Sequence, residues 1–182
     1  NFDNNVASAF ISATSVAGPA RTLSVGAPRQ VLPDVATSGN GYMVVYRSST
    51  DTISRILAQP LDAAGNPLTT QPVQLELGPS YNGPGNPSVA WNGSVYLVSW
   101  GATNGIVAQR LQPNGTKIDA APFMVMLGCF GPTDVAALGN DFLVTGRKAG
   151  ISPQYIGPVA ARVSGAGAVL DASPLLLGIS YV

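Results

Sequence analysis

The chain has 182 residues, of which 46% are hydrophobic, so it is long and apolar enough to bury a core. Nine basic residues balance nine acidic ones, and only 10% of the chain is charged, well below the roughly 25% usual for soluble domains. This balance excludes a basic surface for nucleic acid or membranes. No apolar run reaches the roughly 18 residues that a membrane-spanning helix needs.

Histidine is absent and Cys129 is the only cysteine, which excludes the usual zinc and haem sites and the Ser-His-Asp and Cys-His catalytic sets for this chain. Cys129 has no partner for a disulfide within the chain, and a bond to another chain stays open. Glu76 is the only glutamate, so a glycosidase pair would have to use aspartates, and nothing in the sequence singles out two of them. We therefore predict no catalytic residue, no metal site and no cofactor.

Residues 1–32 predict the second half of a four-stranded unit. Asp3–Ile11 aligns without gaps on Thr103–Leu111, which belongs to a predicted third strand further along the chain. A fourth strand is expected near Leu23–Val25. The chain is thus expected to start in mid-unit, and Asn1 is not expected to be the start of the gene product.

One phrase then occurs three times, beginning at Pro33, Pro87 and Thr133. In each copy a valine precedes an alanine, a glycine follows three residues later, and an aromatic residue follows six residues after the alanine. These columns hold Ala36, Ala90 and Ala136; Gly39, Gly93 and Gly139; and Tyr42, Tyr96 and Phe142. A short apolar run, a glycine turn and an aromatic-aliphatic run predict a β-hairpin, with the aromatic column in the core.

A second phrase follows each first one and predicts a second hairpin. It spans Ala58–Leu61, Ala108–Leu111 and Ala160–Val163, and a turn composition comes next in every copy. Each unit therefore contains four antiparallel strands, and successive units are 54 and then 46 residues apart.

Repeated units of four antiparallel strands are the blades of a β-propeller. The two phrases resemble the tandem propeller-type repeats of secreted and cell-surface bacterial proteins. We predict an all-β fold, a propeller or part of one, with about three and a half four-stranded blades. The alternative is two β-sandwich domains of about ninety residues each.

The predicted organisation is a single repeat domain over residues 1–182. Its parts are half a blade (1–32) and three blades (33–86, 87–131 and 132–182). Closed propellers have roughly four to eight blades, and an open arc leaves strand edges unpaired. Other protein chains or missing blades are therefore expected to complete the propeller.

Asp34, Ser88 and Asp134 share one column just before the valine-alanine pair of the first strand. The first strand of a blade lines the central channel, so this column could present Asp34 and Asp134 to a ligand, water or a cation. The alternative is that these side chains cap turns.

Two aromatic residues are further candidates for contact with a ligand or partner. Trp91 stands where the other copies have Thr37 and Ala137, so the fold does not demand it. Tyr81 lies in an insert rich in glycine and proline between two blades, a composition typical of a surface loop. Local space filling and a plain linker are the respective alternatives.

These observations favour a non-enzymatic scaffold or interaction module, a structural subunit or fragment of a larger secreted or surface assembly. One alternative is a fragment of a propeller enzyme that acts on glycans through catalytic residues outside this chain. Another is a lectin-like, carbohydrate-binding propeller. Low charge with abundant Ser, Thr, Asn and Gly favours an extracellular, cell-surface or periplasmic location.

Overall fold

The computed structural model describes residues 7–8, 21–22, 29–79, 84–149, 155–178 and 180–181. Every regular element in these ranges is a β-strand. Blade one contains β3 (Arg29–Thr37), β4 (Gly41–Ser49), β5 (Ile53–Asp62) and β6 (Val73–Pro79). Blade two contains β7 (Ser88–Trp91), β8 (Tyr96–Ala102), β9 (Gly105–Leu111) and β10 (Phe123–Leu127). Blade three contains β11 (Cys129–Leu138), β12 (Asp141–Ala149), β13 (Tyr155–Val163), β14 (Leu175–Leu176) and β15 (Ser180–Tyr181).

Within each blade the strands pair antiparallel in chain order, and in blade three both β14 and β15 pair with β13. The first strands of the blades, β3, β7 and β11, lie next to one another. Blades of consecutive strands that stack in sequence order are the architecture of a propeller, so the predicted fold is confirmed. The β-sandwich alternative does not fit three separate four-stranded meanders.

The half-blade predicted for residues 1–32 is described only in part. β1 (Ala7–Ser8) pairs antiparallel with β2 (Arg21–Thr22). The fourth strand predicted near Leu23–Val25 lies outside the described residues.

The turn glycines of the repeat adopt the backbone conformation that the sequence predicts. In the first hairpin of the three blades, φ is 85°, 97° and 58° at Gly39, Gly93 and Gly139. In the second hairpin, a residue at the end of the third strand donates its N–H to the carbonyl four residues later. The N···O distances are 2.9 Å for Asp62–Asn66, 2.9 Å for Gln112–Thr116 and 2.8 Å for Ser164–Ala168. One sequence phrase therefore builds one turn geometry three times.

The hydrophobic core lies between the blades. One cluster joins Met43, Val45 and Ile56 of blade one to Tyr96 and Trp100 of blade two. A second cluster joins blades two and three through Leu97, Ile106, Phe142, Val144 and Val159. Tyr96 and Phe142 are buried in these clusters, as predicted for the aromatic column, whereas Tyr42 is half-buried. Each such side chain stabilises the stack by about 1.5–3 kcal/mol, so packing between the blades holds the arc together.

Two turn glycines provide a matched test of this packing. Both have positive φ, but a Cβ at Gly93 meets nothing within 4 Å, whereas a Cβ at Gly115 lies 3.0 Å from Pro60 Cγ and 3.1 Å from Val73 Cγ2 of the preceding blade. We expect Gly93→Ala to cost about 1–2 kcal/mol from backbone strain. Gly115→Ala should cost about 1–3 kcal/mol more from overpacking. Urea unfolding measures both, and equal costs would contradict a tight blade interface at Gly115.

Candidate functional site

Asp34, Ser88 and Asp134, one column of the repeat, meet where the first strands of the three blades run side by side. Ser88 Oγ lies 2.8 Å from Asp34 Oδ2 and 3.1 Å from Asp134 Oδ1. Ser88 is buried, Asp34 is half-buried and Asp134 is exposed. The three residues form a continuous polar row across the blades, which we call the channel row.

The channel row holds two carboxylates close to one hydroxyl. A serine hydroxyl carries a single proton, so Ser88 donates to one carboxylate at a time. Its oxygen also accepts the backbone N–H of Val135, at 3.2 Å. The two carboxylates lie within about 6 Å of each other because both reach the same oxygen. This edge of the blades is therefore rich in acceptors and attracts groups that donate hydrogen bonds.

The two aspartates differ in what they have left to offer a ligand. Oδ1 of Asp34 accepts the backbone N–H of Val35, at 2.8 Å. Oδ2 of Asp34 lies 2.8 Å from the hydroxyl of Ser88 and accepts the backbone N–H of Val89, at 2.9 Å. Asp34 is thus occupied in joining blade one to blade two. Both hydrogen bonds to the Asp134 carboxylate end on Oδ1, and no described residue donates to its Oδ2. Asp134 is the carboxylate that is free to contact a ligand.

A cavity of about 470 Å³ lies where the first strands of blades two and three begin, and it is lined by residues of these two blades and by none of the channel row itself. Asn86 and Pro132, two of its lining residues, precede Ser88 and Asp134 by two positions. Thr133 Oγ1 joins the blades at this point, 3.1 Å from the carbonyl of Asn86 and 3.3 Å from that of Ser99. The remaining lining residues are Gly85, Gly101, Ala102, Thr103, Phe130 and Gly131.

Phe130 gives this cavity an apolar wall, and the residue is 41% exposed. Cavities that combine an aromatic wall with a few polar groups are typical ligand sites. The sequence did not single out Phe130, because the aligned copies begin at Thr133 and the residues before it vary in length between blades. The signal that the sequence offered is an aromatic residue three positions before the third copy of the phrase.

The two aromatic candidates from the sequence do not join this site. Trp91 is the last residue of β7 and Ser88 the first, so Trp91 lies at the opposite end of the strand. Its ring centroid is 4.7 Å from that of Tyr96, with the planes at 50°, and it packs half-buried against the cluster between blades one and two. Tyr81 lies outside the described residues. A contact role for either residue stays a prediction.

The only glutamate also lies elsewhere. The indole N–H of Trp100 in blade two donates to the carboxylate of Glu76 in β6 of blade one. Glu76 therefore serves the packing of two blades and is not part of the channel row.

Cys129 is fully buried in the cluster between blades two and three. Burial raises the pKa of its thiol, and the charge of Lys148 opposes this only in part. Within the described ranges no group of three or more His, Cys, Asp or Glu side chains is placed to hold a metal ion. No helix able to cross a membrane occurs in the part of the chain that the structure describes.

Comparisons with known proteins find similarity to solved structures and none to a sequence family. No family model and no curated protein matches the sequence. Among solved structures the chain is similar to an α-L-arabinanase from Cellvibrio cellulosa, solved in complex with arabinohexaose. The TM-score is 0.48 at 9% identity, over 81% of this chain and 59% of the arabinanase chain. This chain thus spans less than two thirds of its neighbour's length.

The prediction that the chain is not an enzyme is contradicted, because the structure it matches is that of an enzyme. The sequence singled out no pair of carboxylates because Asp34 and Asp134 are 100 residues apart, whereas adjacent first strands bring both to Ser88. A secreted or bacterial origin and an extracellular location stay predictions.

The unequal roles of the two aspartates can be tested by stability. Asp34→Ala removes the acceptor for the N–H groups of Val35 and Val89. We expect a cost of about 1–3 kcal/mol because those donors lose their partner. Asp134→Ala should cost less than about 1 kcal/mol, since Asp134 is exposed. Urea unfolding of both variants decides the point, and equal costs would argue against an inter-blade role for Asp34.

The state of Cys129 has a direct chemical test. A buried thiol with a raised pKa stays protonated at neutral pH and reacts slowly. We expect iodoacetamide at pH 7.5 to alkylate the folded chain at least about tenfold more slowly than the chain in urea. Intact mass measures the rate, and rapid modification of the folded protein would contradict the burial of Cys129.

Proposed function

We propose that this chain is part of a propeller that acts on glycans, and that it binds the sugar at the channel row and its neighbouring cavity. The observation that carries the proposal is the free Oδ2 of Asp134, two residues along the chain from Pro132 in the wall of a 470 Å³ cavity that Phe130 also lines.

A sugar matches this arrangement chemically. A pyranose or furanose ring presents hydroxyl donors around its edge and apolar C–H groups on its faces. Asp134 Oδ2 accepts a hydroxyl hydrogen bond, and a hydrogen bond to an ionised acceptor is about twice as strong as a neutral one. The Phe130 ring packs against a C–H face. The glycine-rich wall at Gly85, Gly101 and Gly131 leaves backbone groups within reach of further hydroxyls.

Hydrolysis would place a further demand on the site. Glycoside hydrolases need two carboxyl groups roughly 5–9.5 Å apart on either side of the scissile bond. Asp134 can provide one of them. Asp34 lies within about 6 Å of Asp134. Both of its oxygens are engaged by backbone N–H groups and Ser88, so it orients Ser88 and Asp134 rather than reacting. In this proposal the second reacting carboxylate comes from outside the described residues.

Binding is tested by isothermal titration calorimetry of the whole chain against neutral oligosaccharides, with arabinohexaose, cellohexaose and xylohexaose as probes. We expect one probe to bind, and Asp134→Asn and Phe130→Ala each to weaken it by at least about tenfold, the value of one good polar or packing contact. Trp91→Ala is the matched control, since it removes an aromatic residue at the other end of β7.

The outcomes separate the alternatives. No binding by any probe overturns the proposal for this chain. Binding that is lost with Trp91→Ala and retained with Asp134→Asn would place the sugar at the far end of β7, as in the lectin-like alternative. Release of reducing ends from the bound probe, abolished by Asp134→Asn, would assign hydrolysis to this site.

A further inference from the structure

The last blade carries an unpartnered face. We call the face of a blade that packs on the next blade in the chain its forward face. Met43 on the forward face of blade one and Leu97 on that of blade two are fully buried. Leu143 occupies the same repeat column in blade three and is 37% exposed. Leu177 of blade three is 58% exposed, whereas Leu75 and Val125, which occupy its column in blades one and two, are 5% and 7% exposed. Blade three therefore carries the apolar pattern of an interface, and none of the described residues covers it as a following blade does.

A polar contact at the interface of blades two and three shows what the neighbour must provide. Arg110 pairs with Asp119, with Nη2 2.6 Å from Oδ1, and its Nη1 donates to the carbonyl of Gly165 in blade three at 2.9 Å. Gly167 in the same turn has φ 89°, and a Cβ there would lie 2.8 Å from Arg110 Nε. The guanidinium therefore docks on a turn that admits only glycine at this position.

Blade three repeats the donor half of this contact. Arg162 and Asp171 stand in the columns of Arg110 and Asp119, with Nη2 2.7 Å from Oδ1. The backbone N–H of Arg162 also donates to Asp171, at 2.7 Å. These hydrogen bonds lower the pKa of Asp171 and hold the pair ionised. No described residue accepts from Arg162 Nη1, and the side chain is 57% exposed against 15% for Arg110.

At the interface of blades one and two the same repeat column makes the contact, although its residue there is uncharged. Pro60 occupies the arginine column in blade one, and Thr69 the aspartate column. Pro60 packs on the turn of blade two, where a Cβ at Gly115 would lie 3.0 Å from Pro60 Cγ. At both interfaces, therefore, this column meets the positive-φ glycine of the following blade.

We propose that the forward face of blade three, formed by Leu143, Leu177 and Arg162, docks a further blade of this same repeat. That blade carries a glycine of positive φ in its second hairpin and presents the carbonyl two residues before it to Arg162 Nη1. A second copy of this chain does not fit, because its first blade has no open rear face: Val44 and Tyr46, in the columns that receive a preceding blade, are already buried in a cluster of their own. The proposal is argued without the glycan site, but the two meet at Asp134: the first strand of a docked blade would present an N–H to Asp134 Oδ2, as Val89 does to Asp34 Oδ2, in competition with a sugar.

The test extends the whole chain by one blade. Residues 131–178 are repeated directly after Val182, so that the second copy of Ala136 follows Pro174 by 14 residues, as Ala136 follows Pro122. Leu143→Cys is introduced in the original blade only, in the parent chain and in the extended chain. Peptide mapping then gives the alkylation rate of that cysteine. Leu68→Cys in blade one is the matched control, because Leu68 is 52% exposed and lies remote from the new junction.

We expect the cysteine at position 143 to react at least about tenfold more slowly in the extended chain, and the one at position 68 to react equally in both. Arg162→Ala should lower the thermal midpoint of the extended chain by about 4 °C more than that of the parent, since the contact to the turn exists only there. An unchanged rate at position 143, including the case in which the added blade stays unfolded, overturns the proposal. A parent chain that forms dimers which protect position 143 also overturns it, in favour of a second copy.

Discussion

The structure depends on hydrogen bonds that join neighbouring blades along their first strands. Asp34 of blade one accepts the backbone N–H of Val89 in blade two, and Ser88 of blade two accepts the backbone N–H of Val135 in blade three. A four-stranded sheet of this size buries too little by itself, so the apolar clusters between blades supply most of the stabilisation. The polar row fixes the register at which those clusters meet. Stability and the candidate site are therefore built from the same residues.

Because the same column serves stability and the candidate site, Asp34 and Asp134 have different roles. A carboxylate that holds two backbone N–H groups of neighbouring strands is committed to the fold, as Asp34 is. Asp134 occupies the same column in blade three, where no described blade follows, and one of its oxygens is left open. The column residue therefore serves packing where a blade follows, and Asp134 offers an oxygen to a ligand as long as no blade is docked on blade three.

The sequence predicted the fold because the repeat is a local signal. Glycines at the turns and aromatics six residues after the alanine report hairpin geometry within about fifteen residues, and Gly93, Gly115 and Tyr96 appear as expected. It also placed Asp34, Ser88 and Asp134 in one column, since equal positions in a repeat occupy equal places in space. It did not predict that the hydroxyl of Ser88 joins both carboxylates, nor the cavity beside Phe130. Those depend on how closely the blades approach, which no local pattern records.

The Pro60–Thr69 pair has a consequence for how the blades relate to one another. Proline has no N–H and no guanidinium, so an aspartate at position 69 would lose both of the donors that Asp119 and Asp171 have. An aspartate at position 69 is therefore favourable only together with an arginine at position 60. An arginine placed alone at position 60 would bring an unmatched charge against the turn at Gly115. The blades look alike in outline, yet blade one contacts the following blade through a proline and blade two through an arginine held by an aspartate.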